Sequence, residues 1–435
     1  MAEHQIITRD DTVGHRVATI LTWAVLLFLI PLAPVLGSVA SIVASVLAIA
    51  LIPFAIAGNG WSIARRDPAM IVFVAVFLAL TICFVITART PRDPLFAFNF
   101  LALPLAAALH VIATRASESP RIVRTIATLC LAGTLTALAI ALNDIFLRKL
   151  GYVYGFNLGP HVVARVALLL GFLALAGLFV TRSPWRFLFY LAPLVALVVV
   201  FLSGTRGALP AIPVMALILA VFLLVDRRDR LQFGILVLLG IAALAALALS
   251  SDRLASTARV IGEVLSSGAT TDSSAGERLG MFSAAWQLFL AAPLVGHGWA
   301  SFAAVAYPIL EGRVWGGPTD PFFQFHNDLA NFAVAAGGIG VLCWVALLAA
   351  PVIGALMTPR DSLFRVRLYC CLQLSVSYFA FGLTDMTLGY DLPTTLYAFL
   401  TAIVLGALRE DRARGAPTSS AADPASRPWP PHRSF

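Results

Sequence analysis

The chain has 435 residues, of which 60% are hydrophobic and only 12% charged, and its formal net charge at pH 7 is +8. Soluble domains carry roughly 25% charged residues, so this composition excludes an ordinary soluble protein and indicates one embedded in a membrane. The basic residues are spread along the chain and form no single patch, which argues against nucleic-acid binding.

Apolar runs of about 17–25 residues recur along the chain and predict an all-α integral membrane protein with about 12 transmembrane helices. Gly37 and Ser38 separate the first two runs, which form the tightest pair. We therefore predict one polytopic membrane domain over residues 1–414. The predicted spans are 17–36, 38–57, 70–88, 95–113, 125–142, 161–181, 187–202, 208–225, 231–249, 327–350, 368–383 and 392–408.

The distribution of basic residues predicts the orientation of these spans. With twelve spans both termini share one side of the membrane, and 20 of the 30 basic residues fall on that side. Because short cytoplasmic loops carry an excess of Lys and Arg, both termini are predicted to be cytoplasmic. The one long polar segment, about residues 250–326 between spans nine and ten, then lies on the outer side. Residues 415–435, rich in Pro, Ser and Ala, predict a disordered cytoplasmic tail.

Two helices are predicted inside the long polar segment. The sequence Ser274-Ala275-Gly276-Glu277 has capping-box spacing, which predicts a helix start at Ser274 and places Arg278 in the first turn. Apolar residues follow at helical spacing and indicate an amphipathic helix that lies on the membrane or on the bundle; they are Leu279, Phe282, Trp286 and Phe289. Pro293 should end this helix, and residues 252–265 predict a shorter one.

The sequence gives no sign of a disulfide framework, a metal site or another cofactor. All five cysteines fall within predicted spans, where they are expected to be small core residues. No metal-ligand spacing occurs, and no Asp-x-Asp pair of the kind that metal-dependent sugar transfer would need.

Two arginines on the outer side are candidate phosphate ligands. Arg206 lies in the link Ser203-Gly204-Thr205-Arg206-Gly207 between spans seven and eight, which is too short to carry its side chain away from headgroup depth. Arg278 opens the loop helix, where the helix N-terminus also favours an anion. A guanidinium offers a planar fork of donors that suits phosphate oxygens. Alternatively, Arg206 is an ordinary interfacial arginine and Arg278 is solvated or paired with Glu277.

Three further charged residues would support such a site. Arg165 lies about one turn inside span six, where a charge usually faces a cavity or a partner, so it would either bind the same phosphate or extend to the outer interface. Asp385 falls in the last external turn, where it would orient a sugar, pair with the arginines or stay solvated. Arg313 lies in the long polar segment, and the sequence does not decide whether it enters the site.

His326 begins span ten, directly after the long polar segment, and is the candidate general base because histidine titrates near neutrality. Asn327 beside it would orient a hydroxyl or cap the helix. His161 and His297 are also predicted on the outer side. The pattern alone does not select among the three histidines, and each would equally well be an interfacial residue.

Three segments, in this order, resemble the O-antigen ligase and polymerase superfamily of bacterial envelope glycan enzymes. The resemblance covers about residues 160–350 and rests on short motifs with a common outer location. They are Ser203-Gly204-Thr205-Arg206-Gly207-Ala208; then Glu277-Arg278-Leu279 through Trp286, Pro293 and Gly296-His297-Gly298; then His326-Asn327-Asp328-Leu329 through Gly337-Gly338-Ile339-Gly340.

The resemblance implies a membrane glycosyltransferase of the GT-C type in the bacterial inner membrane, with its active site and long loop facing the periplasm. Such an enzyme takes a glycan from undecaprenyl pyrophosphate, and in the ligases the acceptor is the lipid A–core of lipopolysaccharide. By motif, Arg206 and Arg278 would hold the pyrophosphate and His326 would be the base, without a metal ion. His297 occupies a position where relatives are expected to carry an apolar residue, so it is a rival base.

We therefore expect an O-antigen ligase that uses a metal-independent, inverting displacement. The same motifs would serve an O-antigen polymerase or a protein O-oligosaccharyltransferase, which differ in their acceptor. A transporter of lipid-linked glycan is the third hypothesis. It is less favoured because transporters place polar groups near the membrane midplane, whereas the candidate residues here gather at the outer face.

Overall fold

The structure is a computed structural model that describes residues 3–57, 60–115, 119–155, 158–181, 184–224, 230–231, 234–235, 237–238, 240–242, 253–268, 270–310 and 323–408. These residues form helices and turns and contain no β-strand, in agreement with the predicted all-α class. Their main helices are α1 (Glu3–Leu29), α2 (Ser38–Ile56), α3 (Pro68–Ile86), α4 (Ala102–Arg115), α5 (Ser119–Leu142), α6 (Gly159–Ala174), α7 (Phe187–Ser203), α8 (Ala211–Leu223), α9 (Arg253–Ser267), α10 (Ser273–Ala291), α11 (Phe302–Leu310), α12 (Asp328–Leu356), α13 (Phe364–Gly382) and α14 (Asp391–Ala407). Shorter helical turns are Ala33–Leu36, Trp61–Ala64, Asp93–Phe100, Asn143–Leu147, Leu175–Phe179, Pro184–Arg186, Arg206–Ala208 and Trp299–Ser301.

Within these described ranges, eight helical segments are long and apolar enough to cross a membrane. They correspond to predicted spans two to eight and ten. Helix α14 and the apolar part of α1 (Arg16–Leu29) are shorter, and α13 carries Arg365 and Arg367 near its start. Most of predicted span nine and the whole tail from residue 415 lie outside the described residues. The multi-pass helical membrane class is thus supported, while the number twelve stays a prediction.

The helices pack through small and aromatic residues into one buried core. Helix α14 packs against α4, α12 packs against α3 and α13, and α6 packs against α5 and α7. All five cysteines are buried free thiols, as the sequence predicted. The starts of α6 and α12 and the ends of α7 and α13 lie at one end of the bundle, where contacts join Arg165 and His326 to Asp385 and Thr384 to Gly207.

Helix α12 is broken in its first half, where Gly337 and the residue before it leave the helical conformation. Neighbouring backbone groups pair with a turn of residues 293–298 instead: the N–H of His297 donates to the Val334 carbonyl at 2.8 Å, and the N–H of Gly338 donates to the turn at 2.7 Å. Gly337 has φ 59°, and a Cβ there would lie 2.5 Å from the backbone of the turn. The turn therefore satisfies polar backbone groups that a membrane would leave unpaired.

Helices α9 and α10 occupy the long polar segment. Helix α9 coincides with the helix predicted over residues 252–265. Helix α10 has an apolar face against α11 and α12, with Met281, Ala284, Ala285 and Leu288 buried. It ends at Ala291, two residues before Pro293, so the predicted stop is confirmed.

The predicted start of α10 was wrong by a short distance. Asp272, not Ser274, is the N-cap, since its Oδ1 accepts the N–H of Ala275 at 3.0 Å. Aspartate is as good an N-cap as serine and comes first along the chain, so the helix begins at Ser273. Arg278 consequently lies in the second turn instead of the first.

Candidate functional site

The link after α7 is fastened to the turn between α13 and α14. The Thr384 hydroxyl donates to the carbonyl of Gly207 at 2.7 Å. A Cβ at Gly207 would lie 3.2 Å from that hydroxyl oxygen, so a larger residue there would require the Thr384 side chain to shift by a few tenths of an ångström. Residues 206–208 form one turn of 3-10 helix, which fixes the Arg206 backbone just after the C-terminal end of α7. The sequence motif is therefore a rigid junction between two segments far apart in the chain.

Beside this junction lies a cavity of about 560 Å³. Its walls come from the link after α7, the start of α6, helices α9 and α10, and the α13–α14 turn. Arg206 and Arg278, predicted from separate motifs, both line it. The full lining is His161, Gly204, Arg206, Gly207, Pro210, Val260, Val264, Asp272, Ser273, Ser274, Ala275, Arg278, Leu279, Phe282 and Thr384.

The two cavity arginines differ in their surroundings. Arg206 is 45% exposed and its Nη1 lies 3.2 Å from Oδ2 of Asp272. The amide of Ala275 holds the pKa of Asp272 below its usual value, burial opposes this effect, and Arg206 adds to it. Among the described residues no carboxylate pairs with Arg278, which is half-buried, and Glu277 is not its partner. Arg278 lines the cavity, so an anion bound there can contact its guanidinium.

The second element of the site is a chain of three charged or titratable side chains. Nδ1 of His326 lies 2.7 Å from Oδ1 of Asp385, and Nη2 of Arg165 lies 3.2 Å from Oδ2 of the same carboxylate. Arg165 and Asp385 are each about 5% exposed, whereas His326 is 32% exposed. Arg165 also donates to the carbonyl of Met386 at 3.4 Å. One carboxylate therefore joins a buried guanidinium to an accessible imidazole.

The charges around Asp385 indicate which of the two side chains carries the hydrogen in the His326–Asp385 hydrogen bond. Burial raises the pKa of Asp385, but the nearby guanidinium of Arg165 and the hydrogen bond and charge of His326 outweigh it and hold this pKa well below its usual value. The carboxylate is ionised and accepts, so Nδ1 of His326 carries the hydrogen. In the neutral imidazole the lone pair is then on Nε2, which is the arrangement a general base requires.

The backbone of His326 is held in an unusual conformation. Its φ of 49° lies in the left-handed region, which non-glycine residues adopt at a cost. The residues on both sides are tied down: the N–H of buried Phe325 donates to Asn331 at 2.9 Å, and the Asn327 side chain accepts the N–H of Ala330 at 3.0 Å. This strain fixes the direction in which the imidazole leaves the chain.

The group formed by Arg165, Asp385 and His326 lies next to the cavity. Thr384 lines the cavity, and the next residue, Asp385, holds His326. His161 lines the same cavity, and the charged groups that act on it electrostatically are Asp385, Arg165, Arg278 and His326. The residues thus gather at one end of the bundle, although they come from α6, α10, the segment before α12 and the α13–α14 turn.

The remaining predicted site residues are placed as follows. Asn327 caps α12 and also donates to the carbonyl of Leu383 at 3.1 Å. Nε2 of His297 lies 2.9 Å from the carbonyl of Leu288, so that nitrogen must donate, and the ring ties the 293–298 turn to α10. Arg165, predicted as a pyrophosphate ligand, is not among the described residues that line the cavity. Arg313 lies outside the described residues.

Sequence reasoning missed two cavity residues and left a third undecided. The sequence does not distinguish His161 from the other outer histidines. The structure places it in the first turn of α6, where it lines the cavity. Asp272 carried a usable signal, because an aspartate ahead of a helix is a strong N-cap and an acidic partner for Arg206. Thr384 had no sequence signal. In the described ranges no group of three or more His, Cys, Asp or Glu side chains is arranged to hold a metal ion.

Residues 191–345 match the family model described as O-antigen ligase. The matched segment is 155 of the 435 residues, and it supports the O-antigen ligase and polymerase superfamily. The superfamily expected from the three motifs is confirmed by this match. The matched segment contains Arg206, Arg278 and His326, while His161, Arg165 and Asp385 lie outside it. A search of the curated proteins found no match.

Proposed function

We propose that the protein transfers a glycan from undecaprenyl pyrophosphate to the lipid A–core of lipopolysaccharide, at the periplasmic face of a bacterial inner membrane. The observation that carries the proposal is the cavity lined by Arg206 and Arg278 next to the His326–Asp385 pair. A cationic pocket for a pyrophosphate leaving group beside a base for an acceptor hydroxyl suits direct glycosyl transfer. The match of residues 191–345 to the O-antigen ligase family model supports the same class of reaction.

The donor pyrophosphate would lie in the cavity against Arg206, Arg278 and His161. Negative charge grows on the leaving oxygen as the glycosidic bond breaks, so these donors bind the transition state more strongly than the ground state. A guanidinium fork can contact two phosphate oxygens at once. The site needs no nucleotide, because the energy of the activated bond arrives with the donor.

The acceptor hydroxyl would give its proton to Nε2 of His326 while its oxygen attacks the anomeric carbon of the donor. The bond from that carbon to the pyrophosphate oxygen breaks, and its electron pair leaves with the pyrophosphate. A single displacement of this kind inverts the anomeric carbon. General-base assistance contributes about 10²–10⁴-fold, and alignment of the two lipid-linked substrates contributes much of the rest.

Arg165 acts in this scheme as a positioning residue that keeps Asp385 ionised. Replacing Arg165 by methionine is expected to move the acid limb of the transfer rate to higher pH. The ordinary pKa of aspartate is about 3.9 and that of Asp385 is lower, so its interactions are complete above the ordinary value and are lost as pH falls. Without the guanidinium, burial raises the pKa, and Asp385 is protonated and releases His326 in milder acid.

The check on Arg165 is the initial transfer rate from about pH 4 to 8 for the wild type and the variants. Arg165→Lys should keep most of the wild-type profile, since an ammonium also stabilises the carboxylate. A profile that is lower at every pH but not displaced would mean that Arg165 only supports the fold.

The proposed reaction is tested by supplying the purified full chain with an undecaprenyl-pyrophosphate glycan and lipid A–core. The expected product is the core-linked glycan, separated on a gel and weighed by mass spectrometry. A longer lipid-linked glycan would identify a polymerase instead, and a glycosylated protein acceptor would identify an oligosaccharyltransferase. Movement of the donor across proteoliposomes with no new glycosidic bond would overturn the enzymatic proposal in favour of transport.

A further inference from the structure

A small cavity of about 10 Å³ lies beside Arg165, between α6, the end of α13, and the turn and helix that follow α13. It shares no lining residue with the much larger cavity that Arg206 and Arg278 line. One water molecule needs roughly 10–15 Å³ of such space, together with two to four polar partners. The small cavity therefore has about the size that a single water requires, and the polar atoms around it decide whether a water binds there.

Two side chains on the lining of the small cavity carry buried polar atoms that have no hydrogen-bond partner among the described residues. These atoms are Nε of Arg165 and Oγ1 of Thr387, and the two residues are 5% and 2% exposed. Tyr378 also lines the small cavity, but its hydroxyl donates to the carbonyl of Pro393 at 2.6 Å. Leaving a buried donor unpaired is costly, and bound water is the usual partner of such groups.

Both residues are held in place by other contacts. The backbone N–H of Thr387 donates to Oδ1 of the fully buried Asp328 at 2.7 Å, which fixes the turn that carries the Thr387 hydroxyl. The terminal nitrogens of Arg165 lie 3.2 Å from Oδ2 of Asp385 and 3.4 Å from the carbonyl of Met386. These contacts are long and leave Nε of Arg165 to a partner on its other side.

We propose that the small cavity binds one water molecule, which accepts the Nε–H of Arg165 and hydrogen-bonds to the hydroxyl of Thr387. Thr387 is then a positioning residue, because the bridge holds the guanidinium against Asp385 and so supports the contact of Asp385 with His326. The water site stands on geometry alone, whereas its effect on catalysis rests on the proposed function. The titratable groups that act on Asp385 or are acted on by it are Arg165, His161, His326, Asp328 and Tyr390.

The water site is tested without any glycan, on the full chain in nanodiscs. A cryo-EM map that resolves ordered water should show a peak within about 3.2 Å of both polar atoms. Thr387→Val keeps the shape of the side chain but removes the hydroxyl, so it should lower Tm by about 1–2 °C and leave the water short of a partner. Thr387→Ser should stay near the wild type.

The matched control is Thr401→Val on α14. Thr401 is a fully buried threonine whose hydroxyl also has no partner among the described residues, but it lies outside the small cavity. Removing a hydroxyl that no water meets relieves an unpaired polar group, so Thr401→Val should leave Tm unchanged or raise it. If Thr387→Val behaves like Thr401→Val, or if the map shows no peak between the two atoms, the water site is wrong.

The positioning role is tested by the pH profile of glycan transfer. Without the bridge the guanidinium stabilises the Asp385 carboxylate less well, the pKa of Asp385 rises, and the acid limb moves to higher pH. Thr387→Val should move it less than Arg165→Met does, and should add nothing in the double variant, since both changes break one bridge. An unmoved limb would overturn the positioning role even where the water is seen. If the wild type transfers no glycan, the proposed function fails while the water site is still decided by the map and Tm.

Discussion

Replacing His326 by alanine is expected to slow glycan transfer by about 10²–10⁴-fold, the usual contribution of a general base. The loss should appear in kcat, because the residues that line the donor cavity remain in place. Asp385→Asn should also be slow, since an amide can present its N–H to Nδ1 and favour the wrong tautomer. Initial rates and donor affinity, measured with the same purified protein, separate the two effects.

His297 provides the matched control for this prediction. His297→Gln keeps a side-chain N–H that can donate to the Leu288 carbonyl, so the α10 end stays tied and transfer should remain near the wild-type rate. If His297→Gln abolished transfer while His326→Ala did not, the base would be the rival histidine. Normal rates in His326→Ala and in Arg206→Ala together would contradict the assigned site as a whole.

The second large effect is expected at the cavity arginines. Arg278→Ala should lower kcat/KM by about 10²–10³-fold, as does the loss of a single group that stabilises transition-state charge in other enzymes. Arg206→Ala should cost less, because Arg206 is more exposed and a phosphate must first replace Asp272 as its partner. Arg278→Lys should recover only part of the rate, since an ammonium lacks the bidentate fork.

Transfer kinetics and equilibrium binding of the donor check the arginine prediction, with Arg259→Ala as the control. Arg259 is an exposed arginine on α9, in the same polar segment, and is outside the cavity lining. It has the same charge and should change neither quantity by more than a small factor. An equal loss at Arg259 and Arg278 would mean that general positive charge matters and that the cavity geometry does not.

Much of the fold could be predicted from hydropathy, because each membrane-spanning helix needs a long apolar run that is visible in the sequence. Eleven of the twelve predicted spans coincide with described helices, and α9 and the end of α10 also fall where the residues indicate. The predicted N-cap of α10 was wrong because two neighbouring residues compete for that position. Asp272 outcompetes Ser274 as the N-cap, and such choices depend on hydrogen bonds that spacing alone does not rank.

The site was less predictable because it depends on contacts between distant segments. Arg206, Arg278 and His326 could be predicted as site residues because they lie in polar segments that interrupt the apolar runs. The pairing of Arg165 with Asp385 joins residues 220 positions apart, and nothing in either local sequence gives the other as its partner. A buried ion pair of this kind is visible only once the helices are assembled.

The turn of residues 293–298 in the break of α12 sets an order for biogenesis. During synthesis the turn leaves the ribosome before α12 does, and in the proposed orientation it must cross the membrane first. The carbonyl of Val334 and the N–H of Gly338, on the two sides of the break, then pair with the turn, so α12 does not enter lipid with these groups unpaired. We expect the polar segment to be translocated before α12 is released from the insertion machinery. Folding of this segment outside the membrane would then precede the membrane insertion of α12, α13 and α14.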